Sequence, residues 1–327
     1  MIDFATVDGT LRDAVGRVFP AAQLIVVDRF SVVYDRAVGD CTPQTLFDIA
    51  SLTKPLATVT LAMMALEDGV LALDDRPRPE LTVRQLLAHA SGLPAWKRLG
   101  DTREEVLRSV AVEPLESPPG RVARYSDLGF ILLGATLERA LGEPLDVAFA
   151  RRVAAPLAVG TTFRPGDVTA CAPTEGELRG VVHDDNARAL GGVAGHAGLF
   201  STARDVSRIA QALVAAWHGA RSTSVPRLVP SQRVRQFWSP SEVPGSTWCL
   251  GWDRPSARDS SAGERWPRDG VGHLGFTGCS LWIDPPRARW VVLLSNRVHP
   301  SRANEQIKQL RPALHDAIVA ALDGASG

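Results

Sequence analysis

Residues 47–55 read Phe47-Asp48-Ile49-Ala50-Ser51-Leu52-Thr53-Lys54-Pro55, a Ser-x-x-Lys run at the entry to an apolar stretch. Three residues make nearly one helical turn, so Lys54 falls on the same face as Ser51 and within reach of its hydroxyl. Proline is tolerated only in the first turn, so Pro55 limits how far upstream the helix starts. Ser51 is therefore expected at or near a helix N-terminus, where free N–H groups and the helix dipole favour a developing anion. A serine hydroxyl becomes a nucleophile when a neighbouring base takes its proton, and a lysine serves when its surroundings lower its pKa. A plain helix cap would use the same serine, so the run needs partners elsewhere in the chain.

Working outward, Val7, Leu11, Val15 and Val18 recur at helical spacing before Pro20. Two β-rich runs follow at 23–27 and 31–34, with Asp28-Arg29 as the expected hairpin step. Helical patterns then occupy 52–66, 82–90, 103–110, 128–140 and 203–217. Strand patterns return at 281–283 and 290–294, split by the turn Asp284-Pro285-Pro286-Arg287, and Ile307, Leu310, Leu314 and Ile318 share a final helical face. The stretches 222–230 and 254–269 read as loops. These patterns predict an α+β fold: an antiparallel sheet built from both chain termini with flanking helices, plus an inserted, mainly helical subdomain. One catalytic domain would span 1–327, with the sheet part near 1–45 and 249–327 and the helical part near 46–248.

Two further stretches carry chemistry. Pro118-Pro119-Gly120 leads into Arg124-Tyr125-Ser126-Asp127-Leu128-Gly129-Phe130, which puts Tyr125 and Asp127 on the loop before a helix. The plainer reading makes Asp127 the cap of that helix. Gly272-His273-Leu274-Gly275-Phe276-Thr277-Gly278 precedes the strand at 281–283. Glycines in a strand mark close approach by a backbone or a ligand, so an edge strand here would hold substrate beside His273. A structural histidine in a Gly-rich bend is the competing reading.

In this order, the three elements resemble the penicillin-recognising serine hydrolases, within them the class C β-lactamase, D-Ala-D-Ala carboxypeptidase and esterase branch. Leu86-Leu87-Ala88-His89-Ala90-Ser91-Gly92-Leu93-Pro94 and Gly195-His196-Ala197-Gly198-Leu199-Phe200-Ser201-Thr202-Ala203-Arg204-Asp205 agree with that branch, and the similarity covers roughly 23–296. The resemblance implies a β-lactamase/transpeptidase-like fold and an acyl-serine intermediate on Ser51. Lys54 would be the activating partner, and Tyr125 would share base work and protonate the leaving group. The Ser51 and Phe276 amides would form the oxyanion hole, with Asp127, His273, Leu274 and Gly275 contacting substrate.

Two departures from the family pattern stand out. Asp127 replaces the asparagine of Tyr-x-Asn, and its carboxylate is expected to raise the pKa of Lys54 and favour Tyr125 as base. His273-Leu274-Gly275 replaces Lys-Thr-Gly, removing a permanent cation and a hydroxyl, and Phe276-Thr277-Gly278 in that role supplies no cation either. An esterase, amidase or peptidase is therefore expected rather than a true β-lactamase. The alternatives are a β-lactamase or D-Ala-D-Ala carboxypeptidase proper, or a binding or sensor protein that has lost turnover on the same fold.

The remaining signals are negative or structural. Lys plus Arg and Asp plus Glu number 36 each, so no global basic field points to nucleic acid or a membrane surface. The N-terminus shows no basic segment before an apolar run, and the apolar stretch near 56–66 is too short to span a bilayer, so a cytoplasmic location without stable membrane association is expected. Cys41, Cys171, Cys249 and Cys279 are scattered, which suggests neither a disulfide framework nor zinc. His183-Asp184-Asp185-Asn186 with Glu175 lacks metal-ligand spacing and reads as a polar loop lining the cleft. No metal or cofactor is expected, and the partner is a small ester, amide or peptide. His89 and His196 read as structural; Trp248 and Trp252 read as cleft wall or core.

Overall fold

The computed structural model describes residues 2–219 and 225–324, so the start of the expected 222–230 loop lies outside the described residues. In chain order the strands are β1 (Ala21–Asp28), β2 (Ser31–Gly39), β3 (Phe47–Asp48), β4 (Thr162–Phe163), β5 (Leu199–Ser201), β6 (Val271–Leu274), β7 (Ser280–Asp284) and β8 (Arg289–Ser295). Five of them form an antiparallel sheet in the order β2-β1-β8-β7-β6. Two strands from the first 40 residues thus pair with three from the last 60, and β6 is left at an edge.

Alternation along the strands divides the core in two. In β1, Leu24 and Val26 face one way and Ile25 and Val27 the other; in β8, Val291 and Leu293 oppose Trp290, Val292 and Leu294. The Leu24 face packs against the helices Ala5–Ala14 and Ile307–Gly324. The Ile25 face packs against the helix Ala203–His218 and the large helical cluster beyond it. Each fully buried Leu, Ile or Val contributes roughly 1.5–3 kcal/mol, so this two-faced burial is what joins the chain ends.

The hairpin between β1 and β2 turns at Arg29-Phe30, one residue later than expected. Both residues are left-handed, at φ 49° and 64°, as a two-residue hairpin loop requires, and a bulge at Val26/Val27 absorbs the shift. The helix expected at 82–90 is shorter, Val83–Leu87, because His89 adopts φ 53°. Thr82 and Gln85 cap it reciprocally. A second small sheet, β3-β5-β4, has strands of two or three residues that no periodicity reveals. It places Phe47-Asp48, just upstream of Ser51, against Phe200-Ser201.

Candidate active site

Ser51 sits in a short 3₁₀ turn, Ala50–Leu52, which opens into wide π-type turns at Lys54–Val59 before the regular helix Thr60–Glu67. Such widened turns recur at functional sites. The expected helix over 52–66 is therefore α-helical only from Thr60, because the Pro55 ring supplies no N–H for regular bonding.

Ala50 is left-handed at φ 48°, a costly conformation for a residue with a Cβ. Asp48 holds it there. One carboxylate oxygen accepts the Ala50 amide at 2.8 Å, and the other accepts the His183 amide at 2.7 Å. Burial pushes the Asp48 carboxyl up to about 6. The Thr277 hydroxyl donates to the Asp48 carbonyl at 2.7 Å, so Thr277 serves the Ser51 turn and not the cleft, which counts against Phe276-Thr277-Gly278 as the alternative substrate strand. Gly275 is needed nearby: a Cβ there would lie 2.5 Å from the Ile49 carbonyl oxygen.

Lys54 is fully buried and has four oxygen neighbours around Nζ. They are Asp127 Oδ1 at 2.6 Å, the Tyr125 hydroxyl at 2.7 Å, Ser51 Oγ at 3.0 Å and the His196 carbonyl at 3.0 Å. Tyr125 in turn donates to Ser51 Oγ at 2.7 Å or to Asp127 at 3.1 Å. An ammonium has only three protons for these four acceptors. A neutral amine would donate to Asp127 and His196 and accept from a hydroxyl. Burial lowers the Lys54 pKa, and the charge of Asp127 opposes this without reversing it. Asp127 does act to raise that pKa, as expected, but burial of the ammonium is the larger effect and the net direction is downward, against the expected preference for Tyr125. Burial, reinforced by Asp127, raises Tyr125 well above the usual phenol value. Both directions favour Lys54, not Tyr125, as the first acceptor of a proton.

Asp127 is not the helix cap. Ser126 takes that role, accepting the Gly129 amide at 3.1 Å, which leaves the Asp127 carboxylate free to turn inward from the first turn of Asp127–Leu141. Behind the site, His89 stacks on Tyr125 with ring centroids 4.7 Å apart and accepts the Ser126 amide through Nδ1 at 3.1 Å. Its left-handed backbone and this bond together fix Tyr125 and Ser126. Trp248 packs on His89 and borders the cleft, whereas Trp252 is fully buried in the core.

The cleft encloses about 560 Å³, and Ser51, Tyr125, Asp127, His273, Leu274 and Gly275 all line it. Phe276 stands at its mouth, 49% exposed, stacked on His183 and lying 4.4 Å from the Arg297 guanidinium. Burial and nearby Lys54 bring His273 down to about 3, and its Nδ1 lies 2.7 Å from the Leu274 carbonyl. It is a neutral imidazole at pH 7, so β6 offers no cation. Cations do reach the rim from the segment after β8, but they are engaged: Arg302 pairs with Glu175, Lys308 with Glu305, and Arg311 holds the Gly275 and Cys279 carbonyls. His183 bonds Glu175 at 3.2 Å, and Asn186 clasps the 97–99 backbone through Lys97 and Leu99. The 183–186 run thus lines the cleft through His183, Asp184 and Asp185 only. Asp48 and the 184–196 contact escaped the sequence reading, because nothing in the motif marks a left-handed Ala50.

The beta-lactamase family model matches residues 7–314, and the chain belongs to that family. It is a serine hydrolase with the β-lactamase/transpeptidase-like α+β fold. An Escherichia coli K12 protein, provisionally named a D-alanyl-D-alanine carboxypeptidase, is 26% identical over 88% of this chain and 81% of its own length. The N-acetylmuramyl-L-alanine amidase of Bacillus subtilis 168 is 27% identical over 90% and 80%. Among solved structures, the Yersinia pestis β-lactamase/D-alanine carboxypeptidase superposes with a TM-score of 0.76 at 20% identity, covering 97% of this chain and 98% of that one. Among the described residues, no helix is long and apolar enough to cross a membrane.

The Lys54–Asp127 contact yields a direct test. The chain has only three lysines, Lys54, Lys97 and Lys308, so ε-¹³C-lysine NMR resolves each titration. Asp127 works to raise the Lys54 pKa, so Asp127→Asn should move the Lys54 midpoint to lower pH while Lys97 and Lys308 stay in place. A midpoint that stays put or rises would contradict this account of the site.

Proposed function

We propose that Ser51 is the nucleophile of an acyl-transfer hydrolysis acting on esters, amides or peptides without a carboxylate beside the scissile bond. The observation that carries this reading is the closed triangle of Ser51, Lys54 and Tyr125, with all three edges between 2.7 and 3.0 Å. Ser51 passes its proton to the Lys54 amine as Oγ attacks the carbonyl carbon. The tetrahedral oxyanion is received by the Ser51 and Phe276 amides, where one donor is worth roughly 3–4 kcal/mol of barrier. Tyr125 gives its proton to the leaving group as the scissile bond breaks, and recovers one from Lys54 at 2.7 Å. Water then enters, losing its proton to the same pair, and Ser51 is regenerated as the acid product leaves.

The substrate preference follows from β6. Neutral His273 offers no fixed charge, and Leu274 has no hydroxyl, so a carboxylate entering there would lose water without replacement. The relative named an amidase supports amides as substrates; esters follow from the same chemistry. A binding or sensor role is disfavoured by the intact triangle.

Ser51→Ala is expected to abolish turnover while costing at most about 1–2 kcal/mol of stability, the scale of a helix-start hydroxyl. Intact-mass spectrometry with a fluorophosphonate should label the wild type and not the variant. Equal labelling of both would remove Ser51 from the role.

Lys54→Ala and Tyr125→Phe should each lower kcat by at least about 100-fold, the scale of a positioned acid or base. Near-normal turnover in Tyr125→Phe would mean that Lys54 alone carries the protons.

Substrate class is tested by comparing nitrocefin and D-Ala-D-Ala peptides with simple esters and D-amino acid amides. The esters and amides should show the higher kcat/KM, and His273→Lys should shift preference toward carboxylate-bearing substrates. Nitrocefin outperforming every ester and amide would refute the assignment.

A further inference from the structure

Asp184 has no task in the reaction above, yet its carboxylate touches both the wall of the cleft and the residue that backs Lys54. Oδ1 accepts from His196 Nε2 at 2.7 Å and from the Ala187 amide at 2.8 Å. Oδ2 accepts the indole N–H of Trp96 at 3.2 Å. Trp96 lines the cleft and is 46% exposed, whereas His196 is almost wholly buried. The backbone carbonyl of that histidine is the neighbour of Lys54 Nζ at 3.0 Å.

A backbone carbonyl is aimed by its peptide, and a buried side chain anchored at its far end is what fixes that peptide. The neighbouring His183 amide is tied to Asp48, which also holds Ala50, so the 183–184 segment is fixed to the nucleophile's turn as well. One carboxylate therefore connects the cleft wall to the surroundings of Lys54, with its own backbone fastened to the Ser51 turn.

We infer that Asp184 is a positioning residue of the hydrolytic reaction: through His196 it fixes the carbonyl that orients Lys54, and through Trp96 it fixes the wall against which substrate lies. The inference rests on Lys54 being the base for Ser51.

The charge of Asp184 gives this role a signature that mere scaffolding lacks. The groups facing Lys54 are Asp127 and Tyr125 at the start of the helix Asp127–Leu141, His89 after the helix Val83–Leu87, His273 on β6, and Asp184 beyond His196. The carboxylate of Asp184 works to raise the pKa of both Lys54 and Tyr125. His196 and its other donors keep Asp184 itself ionised in spite of burial. Neutralising it without changing its shape should therefore lower the Lys54 midpoint while loosening Lys54's orientation.

The experiment compares Asp184→Asn, His196→Ala and Trp96→Phe with the full-length wild type. Rates are taken per fluorophosphonate-labelled site, and Lys54 is followed by ε-¹³C-lysine NMR. Asp184→Asn should lose about 10- to 100-fold in kcat, the scale of small misplacements at a reacting centre, with the Lys54 midpoint moved to lower pH. His196→Ala, which keeps the carboxylate, should lower kcat with no downward shift of that midpoint. Trp96→Phe, which breaks only the wall contact, should raise KM more than it lowers kcat. The inference is overturned if Asp184→Asn keeps wild-type kcat per labelled site, or if its loss of rate comes with an unmoved Lys54 midpoint and only a lower melting temperature. A wild type that fluorophosphonate fails to label at Ser51 would instead overturn the reading on which the inference rests.

Discussion

Burying the ammonium of Lys54 is the constraint to which the rest of the site answers. The effective penalty for taking such a charge out of water is several kcal/mol, and it is offset only by close, well-aimed acceptors. Those acceptors come from separate parts of the chain: Ser51 one turn upstream, Tyr125 and Asp127 at the start of a helix, and the His196 carbonyl just before β5. The folded chain must therefore bring residues 51, 125 and 196 together to within hydrogen-bond distance of one atom. The same burial that makes Lys54 costly also lowers its pKa, the direction that a lysine acting as a base requires. Asp127 moderates that effect; without an acid nearby the amine would hold its proton still less well.

A second junction fastens the sheet to the helical part of the chain. The end of β6 meets the Ser51 turn through Gly275, whose lack of a side chain admits the Ile49 carbonyl, and through the Thr277 hydroxyl on Asp48. Arg311, from the last helix, holds the Gly275 and Cys279 carbonyls from the opposite side. The Phe276 amide and Ser51 are thereby positioned by bonds that leave little freedom between them. This is where the union of the two chain ends in one sheet matters for chemistry: β6 reaches the serine only because β1 and β8 pair at the centre.

The sequence disclosed the parts of this arrangement that are local, and missed those that depend on distant burial. Ser-x-x-Lys is readable because helix geometry alone puts Lys54 beside Ser51, and Tyr125 is readable from its place before an apolar helix. The long strands and helices follow from periodicity. By contrast, the strands of β3-β5-β4 are too short to show a period, and the left-handed Arg29, Ala50 and His89 are ordinary residues in conformations that only tertiary contacts impose. Asp127 looked like a cap because nothing local separates it from Ser126; the distinction is which side chain the buried lysine attracts. The effect of Asp127 on Lys54 is legible in the motif, but the larger opposing effect of burial is not, for a related reason. A carboxylate neighbour can be seen in a motif, whereas the complete exclusion of water from Nζ cannot.

The cleft's polarity follows from which of its charges are already satisfied. Arg302, Lys308 and Arg311 reach the rim, yet each is held by a carboxylate or by carbonyls, and His273 is neutral because it is buried beside Lys54. A substrate carboxylate reaching Arg302 or Arg311 would compete with Glu175 or with the carbonyls that hold β6 in place, whereas Lys308 and Glu305 form an exposed pair of little energetic weight. A neutral ester or amide requires neither exchange. It needs an apolar surface, which Phe276, Trp96 and Trp248 provide around the mouth. The departure from Lys-Thr-Gly therefore leaves β6 itself without a cation, and the buried Arg311 behind it is occupied by the carbonyls that hold the strand.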